Sequence, residues 1–184
     1  MNIRECKRCL YKSTHPLGIT IDDDGICSGC RIHEEKNILD WKERWERLKS
    51  IVKPYRSKNK FNYDCVVPVT GSQDSYFIVH LIKNKLKMNP LLVCYNKYFN
   101  TPLGINNLSN LRIKFNCDMH IQNVNPLLVK KITKETLRRF GNMYWACLAG
   151  HSVLPVDIAV KHKIPLIFWG AHQGLEQVGM FSHL

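Results

Sequence analysis

From Tyr63 onward the chain alternates short apolar runs with stretches of helical periodicity, and few folds accept that alternation. Residues 64–69, 90–95, 119–124 and 164–169 are read as strands, and Ile164-Pro-Leu-Ile-Phe-Trp169 is the most apolar of them. Between them, residues 74–86, 103–115, 126–140 and 150–162 read as helices. Strands separated by helices are parallel, because a parallel partner is reached only by a crossover. The fold class is therefore α/β, a parallel sheet with helices on both faces. With 184 residues and 45% hydrophobic content, there is enough apolar material for one main domain and a small appended module.

Ahead of that domain, residues 1–36 are dense in Cys, Gly and Asp and form a separate loop-rich module. Cys6-Lys-Arg-Cys9 and Cys27-Ser-Gly-Cys30 are two CxxC knuckles with seventeen residues between them. Each knuckle offers two thiolates from one tight loop, with backbone amides free to bond the sulfurs, as a tetrahedral zinc site requires. Gly25 and Gly29 are the residues expected to permit the turns of the second knuckle. Two disulfides are the alternative, and a reducing compartment disfavours them. A closed set of four thiolates is inert, so Zn2+ held by Cys6, Cys9, Cys27 and Cys30 has a folding role. The remaining cysteines, at 65, 94, 117 and 147, read as small buried hydrophobes.

Residues 37–60 form a helix and a polar linker. Ile38, Trp41, Trp45, Leu48 and Val52 recur at spacings of three and four, one apolar stripe on a charged helix, and Pro54 closes it.

The net charge of +12 raises a nucleic-acid partner. The excess is diffuse, however: residues 1–60 hold 14 Lys+Arg against 9 Asp+Glu, and residues 61–184 hold 13 against 6. That distribution argues against a nucleic-acid interface. No apolar run approaches the length of a membrane span, and the start MNIRECKRC lacks a signal-peptide core, so a cytoplasmic protein is expected.

The stretch Cys65-Val-Val-Pro-Val-Thr-Gly-Ser-Gln-Asp-Ser75 runs from a buried strand through a small polar turn into a helix. Thr70 and Ser75 offer hydroxyls, Gly71 lets the backbone approach an anion, and the helix presents its free amides. Asp74 is placed to cap the helix or to meet Mg2+. An ordinary β–α turn with polar caps is the plain alternative.

Thr70-Gly-Ser-Gln-Asp-Ser75 resembles the phosphate loop of the N-type ATP pyrophosphatases, whose pattern is Ser-Gly-Gly-x-Asp-Ser after a hydrophobic strand. Together with the cysteine module, VPVTGSQDS and IPLIFWGAHQGLEQVGMFS resemble the N-acetyl sugar amidotransferase family over nearly the whole chain, from Cys6 to about Ser182. Pro155, Ala159, Trp169, Gly170, His172, Glu176 and the run 179–182 look like its second signature. The resemblance implies an adenine nucleotide alpha hydrolase-like, Rossmann-like domain over residues 61–184. It further implies ATP and Mg2+ as cofactors, with Thr70, Gly71, Ser72, Gln73, Asp74 and Ser75 on the pyrophosphate. The implied reaction converts an acetamido sugar to an acetamidino sugar through an adenylated intermediate, in surface polysaccharide or flagellar nonulosonate synthesis. Ammonia comes, in that family, from a glutaminase paired with a cyclase-like subunit. Within the signature, His172 is the candidate to orient substrate or shuttle a proton, and Glu176 a metal or substrate ligand; the plain alternatives are a surface histidine and a solvated charge. Asn106 and Asn107 are candidates for an adenine or ribose site.

The sequence departs from the family pattern at four places. Thr70 stands for Ser, keeping the hydroxyl. Ser72 stands for the second Gly, which costs on the order of 1–3 kcal/mol if that position needs positive φ. Gln73 replaces the frequent Lys, and Ala171 the usual Glu. The chain also ends at Leu184, short of the family's length, so the expectation is a member incomplete at its C-terminus. Two other functions stay open: a tRNA-modifying enzyme of the same loop superfamily, and an inactive nucleotide-binding remnant.

Overall fold

The computed structural model describes residues 3–59, 61–96, 98, 100–170 and 178–180. The chain divides into two compact units, one drawn from Met1–Leu48 and Ala171–Leu184, the other Lys49–Gly170.

The larger unit carries a parallel sheet in the order β1 (Cys65–Pro68), β2 (Pro90–Tyr95), β3 (Met119–Gln122). Cys65 pairs with Pro90 and Leu92 with Met119. β1 and β2 are buried almost throughout, as strands covered on both faces must be. On one face, Leu154, Ile158 and Ala159 of α6 (Trp145–Lys161) pack on Val66, Leu91 and Val93. The alternating residues Cys65, Val67 and Leu92 point the other way. There α3 (Gln73–His80) and α4 (Pro102–Phe115) pack on each other and bury Val79, Leu111 and Phe115. The expected helices are all present, with α5 at Pro126–Phe140. The helix expected to run to residue 86 ends as α-helix at His80 and continues through Leu81–Lys85 as a π turn, closed by the Leu86 amide on the Leu81 carbonyl at 2.8 Å.

The fourth strand is shorter than the sequence suggests. Instead of a strand over 164–169, Ile167 makes one parallel bridge to Val66. The Val66 amide donates to Leu166 O and the Phe168 amide to Val66 O, both at 2.9 Å. Pro165 has no amide to extend the ladder. The segment still lies beside β1, so the spatial order is Ile167, β1, β2, β3.

A buried carboxylate ties the start of the sheet together. Asp64 is 7% exposed and accepts from the Ser57 amide at 2.6 Å and the Asn89 amide at 2.7 Å. The loops leading into β1 and β2 are thereby held side by side. No single helix among the described residues is long and apolar enough to cross a membrane.

In the smaller unit, α1 (Ser28–Glu35) grows directly out of the second cysteine knuckle. Cys27 acts as the N-cap of this one helix in the loop-rich module, and its sulfur accepts from the Cys30 amide. Gly25 takes φ +80° as a turn residue, whereas Gly29 lies inside α1 and needs no special backbone freedom. α2 (Trp41–Val52), whose residues divide between the two units after Leu48, is capped by Asp40, whose carboxylate accepts from the Lys42 and Glu43 amides at 2.9 Å. Of its expected stripe, Val52 is buried and Trp41 is exposed.

Candidate nucleotide cleft and metal centre

β1 leaves the sheet through Val69 into the turn 70–72, and α3 begins at Gln73 with Ser72 as its N-cap residue. Gly71 takes φ +79°, and a Cβ there would lie 3.0 Å from the Leu108 amide nitrogen of α4. Only glycine satisfies both the conformation and the close approach. Ser72 sits at φ −73°, so the second position of the loop needs no glycine and the feared strain is absent. Within the turn, the Thr70 amide donates to Ser75 Oγ at 3.0 Å and the Thr70 hydroxyl to Ser72 Oγ at 3.1 Å. Ser75 is buried and ties the turn to the helix, while Thr70, Ser72, Gln73 and Asp74 are exposed around the amino end of α3. That end offers unpaired helical amides and a partial positive charge, the requirements of an anion site.

Beside the turn lies a cleft of about 520 Å³, open at the carboxyl edge of the sheet. Open parallel sheets bind ligands at that edge. Its floor is Cys94, Met119 and Ile121, which share one face because Leu92 pairs with Met119 and Cys94 with Ile121. Its opposite wall is one face of α4: Thr101, Gly104, Ile105, Leu108 and Arg112, spaced by three and four. Thr70 closes one end. At the rim, Asn96 donates to Asn123 Oδ1 at 2.6 Å, and Asn100 donates to Asn96 Oδ1 at 2.9 Å. A cleft lined by apolar side chains with an amide rim suits a ligand that has an apolar body and polar edges. On the α6 side, His151 lines the cleft with its ring 6.0 Å from that of Tyr95. Gly150 makes room for that tyrosine, since a Cβ there would come within 2.5 Å of the ring.

Several of these residues had no signal in the sequence. Asn96, Asn123, Tyr95 and His151 come from different elements and meet only in the fold. Asn106 and Asn107 fall outside the cleft lining because they lie on another face of α4; Asn107 instead gives its carbonyl to the Tyr76 hydroxyl at 2.8 Å. His172 and Glu176 lie outside the described residues, as do Ala171 and Ser182.

In the smaller unit, the sulfurs of Cys6, Cys9, Cys27 and Cys30 all lie within 4.8 Å of one another. Cys6 and Cys30 are 3.9 Å apart and Cys9 and Cys27 3.5 Å, too far for S–S bonds and close to the edge of about 3.8 Å in a tetrahedron of Zn–S bonds. Backbone amides of Arg8 and Cys27 donate to the Cys6 sulfur, at 3.4 and 3.3 Å. Burial pushes the Cys6 thiol up, but the amides of Cys9, Arg8 and Cys27 outweigh it and bring it down to about 6. Burial pushes Cys27 and Cys30 up. Four soft donors in this arrangement fit zinc and would hold it as a closed structural site. Arg31 braces the surrounding loops through Asp22 at 2.8 Å and Asp24 at 2.6 Å. Elsewhere, Cys65, Cys94 and Cys117 are buried and Cys147 is half-buried.

No protein-family model matches the chain. Among curated proteins, an uncharacterized protein of Methanocaldococcus jannaschii is 26% identical over 122 residues, which are 65% of this chain and 42% of that one. Among solved structures, the NH3-dependent NAD synthetase from Campylobacter jejuni, in complex with a nitrate ion, has a TM-score of 0.50 at 16% identity. The match covers 78% of this chain and 62% of the synthetase. The fold is shared with NAD synthetase. That likeness agrees with the α/β class, a parallel sheet with helices on both faces, expected from the alternation of strands and helices. The chain spans about two fifths of the curated relative and less than two thirds of the synthetase.

Proposed function

We propose that the chain is the ATP-handling part of an ammonia-using amidotransferase that converts a sugar acetamido group to an acetamidino group. The observation that carries the reading is the junction of the Thr70–Ser75 turn with the 520 Å³ cleft, an anion site and an apolar slot at one sheet edge. Further support comes from the fold shared with a synthetase whose own name says that it uses ammonia.

On this reading the cleft holds the nucleoside and the amino end of α3 holds the β- and γ-phosphates, with Thr70 and Ser72 hydroxyls donating to their oxygens. Asp74, exposed in the first turn of α3, is the side chain that would hold Mg2+, which offsets phosphate charge when bound. The acetamide oxygen attacks the α-phosphorus; the new O–P bond forms as the bond to the bridging oxygen breaks and pyrophosphate leaves. Ammonia adds to the activated carbon, loses a proton, and AMP departs with the former amide oxygen. An unactivated amide oxygen is a poor leaving group, which is why adenylation precedes amination. The proton acceptor and the sugar contacts are assigned to His172 and Glu176, and the ammonia source to a glutaminase with a cyclase-like subunit. Zn2+ at the four cysteines keeps a folding role, and a cytoplasmic setting suits its free thiols.

The test is pyrophosphate release from ATP with Mg2+, ammonium and a panel of acetamido sugars. Release that depends on both sugar and ammonium supports the reading. Tight tRNA binding with no sugar-dependent release would replace it with a tRNA-modifying role, and nucleotide binding without any release would leave a non-catalytic remnant.

A further inference from the structure

The four-cysteine module is not built from the first part of the chain alone. Val178 is fully buried and shares one small core with Cys6, Ile19 and Cys27, against which Ile21 and Cys30 also pack. Its carbonyl accepts from the Ser28 hydroxyl at 2.6 Å, a bond between residues 150 positions apart. Gly179 then takes φ +63°, and a Cβ there would come within 2.5 Å of the Ser28 carbonyl oxygen and 2.7 Å of Ile32. The backbone at 178–179 therefore lies directly on α1, and only glycine fits the second position.

We propose that Val178 and Gly179 are an outer part of the metal centre, docking on the cysteine module when it holds Zn2+ and slowing release of the ion.

What seats these two residues depends on the cysteines. Ser28 and Ile32 belong to α1, which has eight residues and buries none of them. A helix that short does not persist in water by itself, so α1 relies on the Cys27 cap and the knuckle behind it. Of the three other buried members of the core around Val178, two are Cys6 and Cys27. Their sulfurs stand with those of Cys9 and Cys30 at ligand spacing in the same arrangement that seats Val178. The dependence also runs the other way. Cys6 and Cys27 are 0% and 1% exposed in a core that Val178 completes, whereas Cys9 is exposed. A proton or a competing ligand must reach a sulfur or the ion before the metal can leave, and Val178 closes that approach from its side. If bound metal favours docking, docking favours bound metal by the same factor. The inference is independent of the proposed activity.

The test is zinc release from the purified, zinc-loaded 184-residue chain to an excess of a chromophoric chelator, timed by absorbance. Val178→Asp puts an unpaired charge into the docked core and should release zinc at least about tenfold faster. Ser28→Ala removes only the hydroxyl donor and should speed release by roughly threefold. The double variant should be no faster than Val178→Asp alone, because both changes undo one contact. Met180→Asp sets the same charge on a side chain that is 57% exposed and should leave the rate unchanged. In methyl-labelled protein, nuclear Overhauser contacts of the Val178 methyls with Ile19 should be present with zinc and vanish when the metal is withdrawn. Release at the parent rate from both Val178→Asp and Ser28→Ala overturns the proposal, as does a contact between Val178 and Ile19 that outlasts the metal. Met180→Asp releasing zinc as fast as Val178→Asp overturns it too, since charge alone would then account for the loss.

Discussion

A Cβ atom on Gly71 would stand 3.0 Å from the backbone nitrogen of Leu108, so the phosphate turn and the cleft wall are built against each other. Gly71→Ala therefore has to move α4 as well as adopt φ +79°. The expected result is a stability loss of about 1–3 kcal/mol by urea unfolding and a loss of nucleotide binding. Ser72→Gly, at φ −73° and without a side-chain cap hydrogen bond to lose, should cost only about a few tenths of a kcal/mol of stability. Equal behaviour of the two variants would refute the assignment of roles within the turn.

Ile105 is more than half exposed and contributes to the cleft wall. Ile105→Trp should fill the slot and weaken ATP binding by at least about tenfold, or roughly 1.4 kcal/mol. Its thermal midpoint should hardly change. Calorimetric titration with a non-hydrolysable ATP analogue measures it, and undiminished affinity would place the nucleotide elsewhere.

Asp64 accepts two backbone amides while 7% exposed. Asp64→Ala leaves both donors without their carboxylate, at a cost of about 3 kcal/mol. Denaturant midpoints of the variant and the parent test this. A change below about 1 kcal/mol would mean that water or rearranged loops replace the carboxylate.

Burial, aided by the neighbouring Asp64 carboxylate, pushes the Cys65 thiol up to about 12. Thiolate is the reactive form, so at pH 8 the folded protein should spare Cys65 from iodoacetamide, and the protection should vanish in urea. Peptide mass spectrometry reads the labelling directly. Equal labelling of Cys65 in folded and unfolded samples would contradict a closed sheet at β1.

The four-cysteine cluster should carry about one zinc per chain, and Cys27→Ser should abolish it. Loss of metal should melt α1, because Cys27 both ligates and caps that helix. Metal content by emission spectroscopy and hydrogen exchange across residues 28–35 check the two halves. A Cys27→Ser protein retaining both would remove the metal site.

Local chemistry explains what could be read in advance. Each CxxC knuckle, the strand read at 64–69 and the turn at Thr70–Ser75 have their meaning within a dozen neighbouring residues. Asn96 and Asn123 do not, because they stand 27 residues apart and meet only when β2 and β3 pair in register. The absence of Asn106 and Asn107 from the cleft lining has a similar cause. They sit beside the lining residues in sequence, but a helix turns about 100° per residue, and the packing of α4 selects which face looks into the cleft.

The sequence by itself determined the alternation that makes the sheet parallel, the four sulfurs at metal spacing and the small polar turn after the first strand, because each depends on short-range geometry. Tertiary structure alone decided that Gly71 and not Ser72 carries the positive φ, that residues 164–169 pair with β1 through one bridge, and that Val178 joins the core of the cysteine module. Those outcomes depend on which backbone lies against which, a quantity set by packing between segments far apart in the chain.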